Sequence, residues 1–162
     1  MTARWPRPLF YLITLAALGL DQFTKAWALL SLRPWGTITI IPGFFNLTYV
    51  ENRGIAFGMF AGEGALVGIF VVALILIALY YTQGVNWSRL EPNLVGGCLC
   101  GGAVGNLVDR IRHGWVVDFL DVHLSAYRLY WPVFNVADSL ICIAVGWIVF
   151  RQLYWTEKAK TS

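Results

Sequence analysis

The chain has 162 residues, which is the length of a single domain. Hydrophobic residues make up 58% of it and charged residues only 13%, so the composition favours a protein buried in lipid and argues against a soluble one. The net charge of +3 is small and scattered, which excludes the basic surface expected of a nucleic-acid-binding protein.

The first apolar segment begins as a signal peptide would, with Arg4 and Arg7 before a short hydrophobic run. The run resumes after Asp21, so residues 9–30 are long enough for a helix that spans a membrane. Asp21 and Lys25 lie four residues apart on one face of this helix and are expected to pair. We interpret them as a pair at the helix end whose charges reach the membrane interface, in preference to a catalytic role.

Two short strands are predicted after this helix. Residues 37–40 and 45–49 flank the turn sequence Pro42-Gly43, and this pattern is typical of a pair of strands joined by a turn. Lipid cannot satisfy an open sheet edge, so the pair is expected at the membrane surface or outside it. The polar and glycine-containing stretch that follows suits either a ligand or an ordinary turn. The interfacial β region is therefore expected to cover about 37–58.

Three further apolar segments are predicted to be membrane helices: 65–81, 94–112 and 135–154. The second of them carries Gly97, Gly101 and Gly105 at four-residue spacing, which lets another helix approach closely. Four spans would place both termini on one side and the predicted strands on the other. Lysines and arginines divide equally between the two sides, so the charge count does not orient the chain. The arginines before the first helix favour cytoplasmic termini.

The segment 113–134 is dense in aromatic residues and is interpreted as a loop at the level of the lipid headgroups. His113 and His123 lie in it, but no second ligand at metal-binding spacing accompanies either, so no metal site is expected. The cysteines lie in apolar segments, which does not indicate a disulfide framework. A cysteine nucleophile is disfavoured because neither helix offers a histidine to activate it. The cysteines are Cys98, Cys100 and Cys142.

Two aspartates carry the main functional hypothesis. An ionised carboxylate near the bilayer core costs at least about 2.5 to 3.5 kcal/mol, so Asp118 and Asp138 each need a function and a partner. If they meet, they cannot both ionise: one can protonate a peptide carbonyl while the other activates water. Asn135, three residues before Asp138, offers another explanation, a helix N-cap with an acid in the first turn. That explanation does not account for Asp118.

Five segments of the chain together resemble, in order and spacing, the motifs of bacterial lipoprotein signal peptidase, also called signal peptidase II. The segments are Asp21-Gln22-Phe23-Thr24-Lys25, Asn52-Arg53-Gly54-Ile55-Ala56-Phe57, Gly101-Gly102-Ala103-Val104-Gly105-Asn106-Leu107-Val108-Asp109-Arg110, Val117-Asp118-Phe119 and Phe134-Asn135-Val136-Ala137-Asp138-Ser139. The resemblance implies one all-α membrane domain over residues 1–162, with four transmembrane helices and a small extracytoplasmic β-cradle after the first helix. It implies the bacterial inner membrane, cytoplasmic termini and an active site on the periplasmic side.

The same resemblance implies an aspartic endopeptidase that needs no cofactor or metal. Its substrates would be diacylglyceryl-modified prolipoproteins in membrane lipid, cut before the lipidated lipobox cysteine. The implied catalytic residues are Asp118 and Asp138. The residues implied to bind the substrate, or a cyclic peptide antibiotic of the globomycin type, are Asn52, Arg110, Asn106 and Asn135. The implied structural residues are Asp21, Lys25, Asp109 and Gly54.

Two other interpretations remain open at this point. The first is a proton-coupled carrier or channel in which Asp21, Asp109 and Asp138 form a relay. Carriers commonly show internal repeats and broken helices, and neither is visible in the sequence. The second is a structural scaffold held together by the glycine stripe, which would leave Asp118 without a purpose.

Overall fold

The structure, a computed structural model, describes residues 8–54 and 86–160. Three helices lie in these residues: α1 (Pro8–Trp27), α2 (Leu90–His113) and α3 (Val136–Lys160). A π-helical turn, Ala28–Leu32, continues α1, so the two together cover the first predicted span. The predicted helix at 65–81 lies outside the described residues, as do residues 55–58 of the predicted β region.

Within the same described ranges, four strands form one antiparallel sheet in the order β1, β2, β3, β4. Their bounds are Thr37–Ile41, Phe45–Asn52, Val116–Leu124 and Leu129–Tyr130. The predicted turn between β1 and β2 is present: Gly43 has φ 76°, and the N–H of Phe44 donates to the carbonyl of Ile41 at 3.0 Å. Glycine suits this position because a type II turn needs a positive φ there. The two predicted strands are therefore confirmed.

The interpretation of 113–134 as a loop is wrong. Strand β3 occupies its first half, followed by a 3-10 turn, Ser125–Tyr127, and the short strand β4. The β-branched and aromatic side chains of β3 favour a strand, and pairing with β2 overrides the aromatic signal of a headgroup-level loop. The sheet is thus built from chain on both sides of α2, and not only from the segment after the first helix.

Helix α2 packs against α1 on one side and α3 on the other. The glycine stripe makes the first contact close: a Cβ at Gly101 would lie 2.6 Å from the Cβ of Ala17 and 2.7 Å from the carbonyl oxygen of Thr14. On the other side, a Cβ at Gly102 would lie 2.7 Å from the carbonyl oxygen of Ala137 on α3. The predicted role of the small residues in close helix packing is confirmed.

Apolar side chains lie on the outside of this protein and polar side chains lie inside it, the reverse of the arrangement in a soluble protein. Large apolar side chains such as Leu15 (65% exposed) and Ile143 (71% exposed) cover the outside of the helices, while polar and charged groups are buried between them. Among the described residues, two helical segments are long and apolar enough to cross a membrane: Leu90–His113 and Val136–Leu153. A lipid environment explains the exposed apolar surface.

Candidate functional site

Asp118 lies near the start of β3 and is 1% exposed. The pairing of β2 with β3 sets Asn52 opposite Val116, two residues away from Asp118. From there Nδ2 of Asn52 donates to Oδ2 of Asp118 at 2.8 Å. Nδ2 of Asn135 donates to the other oxygen, Oδ1, at 2.6 Å. Each oxygen of this buried carboxyl group therefore accepts a hydrogen bond from an amide.

Asp138 lies in the first turn of α3. Oδ1 of Asn135 accepts a hydrogen bond from the N–H of Asp138 at 2.9 Å, and Oδ2 of Asp138 accepts one from the N–H of Asn135 at 3.2 Å. This reciprocal pair is a capping arrangement, so the N-cap that the sequence suggests is present. From α2, Nδ2 of Asn106 donates to Oδ1 of Asp138 at 2.7 Å.

Asn135 is the neighbour that the two aspartates share. Its side chain donates to Asp118, and its backbone N–H donates to Asp138. Nδ2 of Asn135 also donates to Oδ1 of Asn106 at 3.2 Å, and the whole residue is buried. The structure therefore brings Asp118 and Asp138, from different elements of the fold, into one hydrogen-bond network. We call these two residues the dyad.

The environment of Asp118 favours its protonated form. Burial raises the pKa of the Asp118 carboxyl from 3.8 to about 7, and the negative charge of Asp138 adds to the rise. The hydrogen bonds from Asn52 and Asn135 lower the pKa in part. A carboxyl group that titrates near neutral pH can serve as a general acid or base.

Three buried charged residues, Asp21, Lys25 and Asp109, form what we call the ion cluster. Nζ of Lys25 lies 3.0 Å from Oδ2 of Asp21 and 3.1 Å from Oδ2 of Asp109. It also donates to Oδ1 of Asn106 at 2.8 Å, so the three N–H donors of the ammonium group have three acceptors.

The predicted pairing of Asp21 with Lys25 is present, but its interpretation as an interfacial pair is wrong. Asp21 is 0% and Lys25 is 2% exposed. The reason lies in the glycine stripe: at Gly105 a Cβ would collide with Oδ2 of Asp21, so α2 closes directly over the carboxylate. The pair is buried between helices and does not reach the interface.

Arg110 of α2 holds the segment that follows β2. Its guanidinium group donates to the carbonyl of Gly54 at 3.1 Å and to the carbonyl of Asn106 at 3.2 Å. The N–H of Gly54 in turn donates to Oδ1 of Asn52 at 3.0 Å. These contacts join Arg110, Gly54 and Asn52 to the network around Asp118. Asp109, although adjacent to Arg110 in sequence, pairs with Lys25.

Gln22 belongs to the network, although the sequence analysis assigned it no role of its own. Its Nε2 donates to Oδ1 of Asp109 at 3.0 Å, to the carbonyl of Gly105 at 3.2 Å and to Oδ2 of Asp21 at 3.3 Å. The available signal was its position as a further polar side chain beside Asp21 in an apolar helix. Gln22 therefore links the two carboxylates of the ion cluster.

Asp121, the other acid of β3, has partners on the neighbouring strand. Its Oδ2 accepts hydrogen bonds from Oγ1 of Thr48 at 2.8 Å and from Nδ2 of Asn46 at 3.1 Å. Oδ1 of Asp121 lies 3.6 Å from Nδ1 of His123. These contacts cross the sheet and are separate from those of the dyad. Asp121 thus provides a matched comparison for Asp118.

Buried polar groups and an apolar exterior define the class: the chain is a membrane protein, and solved structures of bacterial membrane enzymes share its fold. A solved structure of a bacterial membrane enzyme has the same fold, with a TM-score of 0.83 and 28% identity, and the match covers 98% of this chain and 95% of that one. A second bacterial membrane enzyme structure matches with a TM-score of 0.79 and 28% identity, over 94% of this chain and 97% of that one.

The sequence matches the signal peptidase II family over residues 13–154. Lipoprotein signal peptidases from Syntrophotalea carbinolica and Chlorobium phaeovibrioides are 40% and 45% identical over 149 and 159 residues, covering 87% and 90% of this chain and 88% of each relative. The chain therefore belongs to the signal peptidase II family, as its five motifs indicate, and it is a membrane peptidase. Membership of a peptidase family removes the carrier and scaffold interpretations.

Proposed function

We propose that this peptidase is an aspartic endopeptidase that removes signal peptides from diacylglyceryl-modified prolipoproteins, and that it cleaves directly before the lipidated lipobox cysteine. The substrate class is supported by the relatives, which are lipoprotein signal peptidases. One observation carries the aspartic mechanism. Asn135 contacts both Asp118 and Asp138, and the charge of Asp138 acts on the carboxyl of Asp118, so the two carboxyls can divide the roles of acid and base.

In the proposed reaction, Asp118 begins as the acid and Asp138 as the base. Burial raises the pKa of Asp118 to about 7, which favours the proton on this member of the dyad. Asp138 takes a proton from water, the oxygen attacks the carbonyl carbon before the cysteine, and Asp118 protonates the carbonyl oxygen. The tetrahedral intermediate then collapses: Asp138 passes its proton to the amide nitrogen of the cysteine, and Asp118 regains a proton from a hydroxyl. No covalent enzyme intermediate forms.

Four polar residues are proposed to hold the substrate and orient the dyad. Within the described residues, Arg110 donates to the carbonyls of Gly54 and Asn106 with two of its five N–H groups, and we propose that others bind a peptide carbonyl or a cyclic peptide of the globomycin type. Asn52 lies beside Arg110, because its Oδ1 accepts a hydrogen bond from the N–H of Gly54, the residue whose carbonyl accepts from Arg110. Asn106 and Asn135 donate to the carboxyls themselves and so fix their orientation.

The lipid on the substrate has a physical role in this proposal. Acyl burial contributes about 0.8 kcal/mol per CH₂, so two chains anchor the cysteine at a fixed depth in the bilayer. An open sheet edge is not tolerated in lipid, so we propose that the sheet lies outside the hydrocarbon region, on the periplasmic side that the resemblance to the family implies. The predicted helix at 65–81 would supply the fourth span and leave both termini in the cytoplasm.

The proposal is tested with purified enzyme in detergent and three forms of one prolipoprotein. These are the diacylglyceryl-modified form, the unmodified form, and a form whose lipobox cysteine is replaced by alanine. We expect cleavage of the first only, with mass spectrometry showing the lipidated cysteine as the new N-terminus. Equal cleavage of the unmodified form would contradict the substrate class, and no cleavage of any form would contradict the function.

A further inference from the structure

The two carboxylates of the ion cluster each hold a backbone group beside the dyad. Oδ2 of Asp109 accepts a hydrogen bond from the N–H of Val117 at 3.0 Å. Oδ1 of Asp21 accepts one from the N–H of Ala137 at 3.0 Å. Val117 and Ala137 directly precede Asp118 and Asp138 in the chain. The same contact is thus made one residue before each member of the dyad, although the two members lie on a strand and a helix.

Lys25 connects these two contacts through a single ammonium group. It pairs with the Oδ2 atoms of both Asp21 and Asp109, at 3.0 and 3.1 Å. Its third hydrogen bond fixes the side chain of Asn106 with the oxygen toward Lys25, so that the nitrogen of the same amide donates to Asp138. A path of short polar contacts therefore runs from Val117 through the ion cluster to Ala137.

We propose that the ion cluster is a positioning unit for the dyad: Asp109 holds the backbone at Asp118, Asp21 holds the backbone at Asp138, and Lys25 sets the separation between them. The inference rests on the proposed catalytic role of the dyad. Its consequence differs from that of a buried ion pair that serves stability alone. Exchange of a purely structural ion pair for apolar groups changes stability little and should not change the catalytic rate of the folded enzyme. Loss of a positioning unit should lower the rate, because a displacement of about 1 Å between reacting groups costs about 100-fold.

The test compares two substitutions at each carboxylate. Asp109→Asn and Asp21→Asn retain an oxygen that can accept the backbone N–H, whereas Asp109→Leu and Asp21→Leu do not. We expect kcat to fall roughly tenfold in the asparagine variants, since a neutral acceptor holds the N–H less well, and about 100-fold in the leucine variants. KM for a lipidated prolipoprotein should stay within about twofold of wild type, because none of these side chains is placed against the substrate.

The control is Asn93→Ala. Asn93 is fully buried on α2, where its Nδ2 donates to the carbonyls of Trp87 at 3.0 Å and Arg89 at 2.6 Å. This variant should lower the unfolding temperature and leave kcat of the folded enzyme unchanged. A structural role for the ion cluster would make its variants behave as this control does.

The outcomes separate the two proposals. If wild type cleaves and the dyad variants do not, the proposed function stands; wild-type kcat in the asparagine variants at position 21 or 109 would then overturn the positioning role alone. A rise in KM without a fall in kcat would also overturn it. The asparagine variants decide the matter even where a leucine variant does not fold. Graded losses of kcat at unchanged KM, at both positions, would support the inference.

Discussion

Asn135 donates a hydrogen bond of 2.6 Å from Nδ2 to Oδ1 of Asp118. This contact joins the N-terminus of α3 to strand β3. The opposite end of the same amide, Oδ1, caps α3 by accepting from the N–H of Asp138. The two ends of one side chain therefore serve the dyad and the helix separately, and substitution can tell the two roles apart.

Asn135→Ser should remove the first role and keep the second. Serine is a good N-cap, so the cap itself should change the free energy of unfolding by about 1 kcal/mol or less, while loss of the buried hydrogen bonds from Nδ2 should cost about 1 to 3 kcal/mol. Without Nδ2, Asp118 loses a donor that orients it, and kcat should fall about 100-fold. Thermal unfolding and cleavage assays in the same detergent measure both. The control is Asn86→Ser, since Oδ1 of Asn86 accepts a hydrogen bond from the N–H of Ser88 at 3.0 Å in the turn before α2. Wild-type kcat in Asn135→Ser would contradict the assignment.

The titration of Asp118 predicts that stability falls as the pH rises. Its pKa is about 7 in the folded protein and about 3.8 when unfolded, so the folded state binds the proton more tightly. The stabilisation from the protonated Asp118 carboxyl is fully present below about pH 4 and is lost as the pH rises through about 7. The difference between the folded and unfolded pKa corresponds to roughly 4 kcal/mol in the free energy of unfolding. Asp118→Asn cannot titrate, and its free energy of unfolding should vary less between pH 4 and 7. The same slope in both proteins would contradict the raised pKa.

Gly105→Ala should lower both stability and kcat by displacing a residue of the ion cluster. The new Cβ would collide with Oδ2 of Asp21 and push this carboxylate away from Lys25. Overpacking of this kind costs about 1 to 3 kcal/mol of stability, and we expect kcat to fall with it. Gly19→Ala is the matched control, because no atom of the described residues lies within 4 Å of a Cβ there. That variant should be stabilised by about 0.5 to 1 kcal/mol. Equal unfolding temperatures for the two variants would contradict the close packing.

Arg110→Lys should weaken substrate binding. Lysine keeps the charge but loses the planar fork that reaches both Gly54 and a peptide carbonyl. We expect KM for the prolipoprotein and the inhibition constant of a globomycin-type peptide both to rise about tenfold. Arg112→Lys, two residues on and exposed, should leave both constants unchanged. Unaltered constants in Arg110→Lys would show that Arg110 holds only the protein backbone.

Local features of the fold could be predicted because a few residues determine them. Pro42 and Gly43 specify the turn between β1 and β2, and the glycine at φ 76° leaves little choice of turn type. The small residues of α2 predict close helix packing for a similar reason: the space that they leave depends on their own lack of side chains. The acid at position 138 and the amide three residues before it predict the cap.

Features that depend on distant partners could not be predicted. The segment that becomes β3 has aromatic neighbours typical of an interfacial loop, and its strand pairing depends on β2, which lies before α2 in the chain. The burial of Asp21 and Lys25 depends on Gly105, which lies 84 and 80 residues further along the chain. The contacts of these side chains with the backbone at Val117 and Ala137 follow only from the assembled helices and sheet.

The most direct test of the account removes one dyad carboxyl at a time. Asp118→Asn and Asp138→Asn are compared with Asp121→Asn, which changes an acid on the same strand as Asp118 whose partners are Thr48 and Asn46. Each folded variant receives a diacylglyceryl-modified prolipoprotein, and the mobility shift on a gel reports cleavage. We predict that both dyad variants fail to cleave while Asp121→Asn cleaves as wild type does. Cleavage near the wild-type rate by either dyad variant would contradict the account.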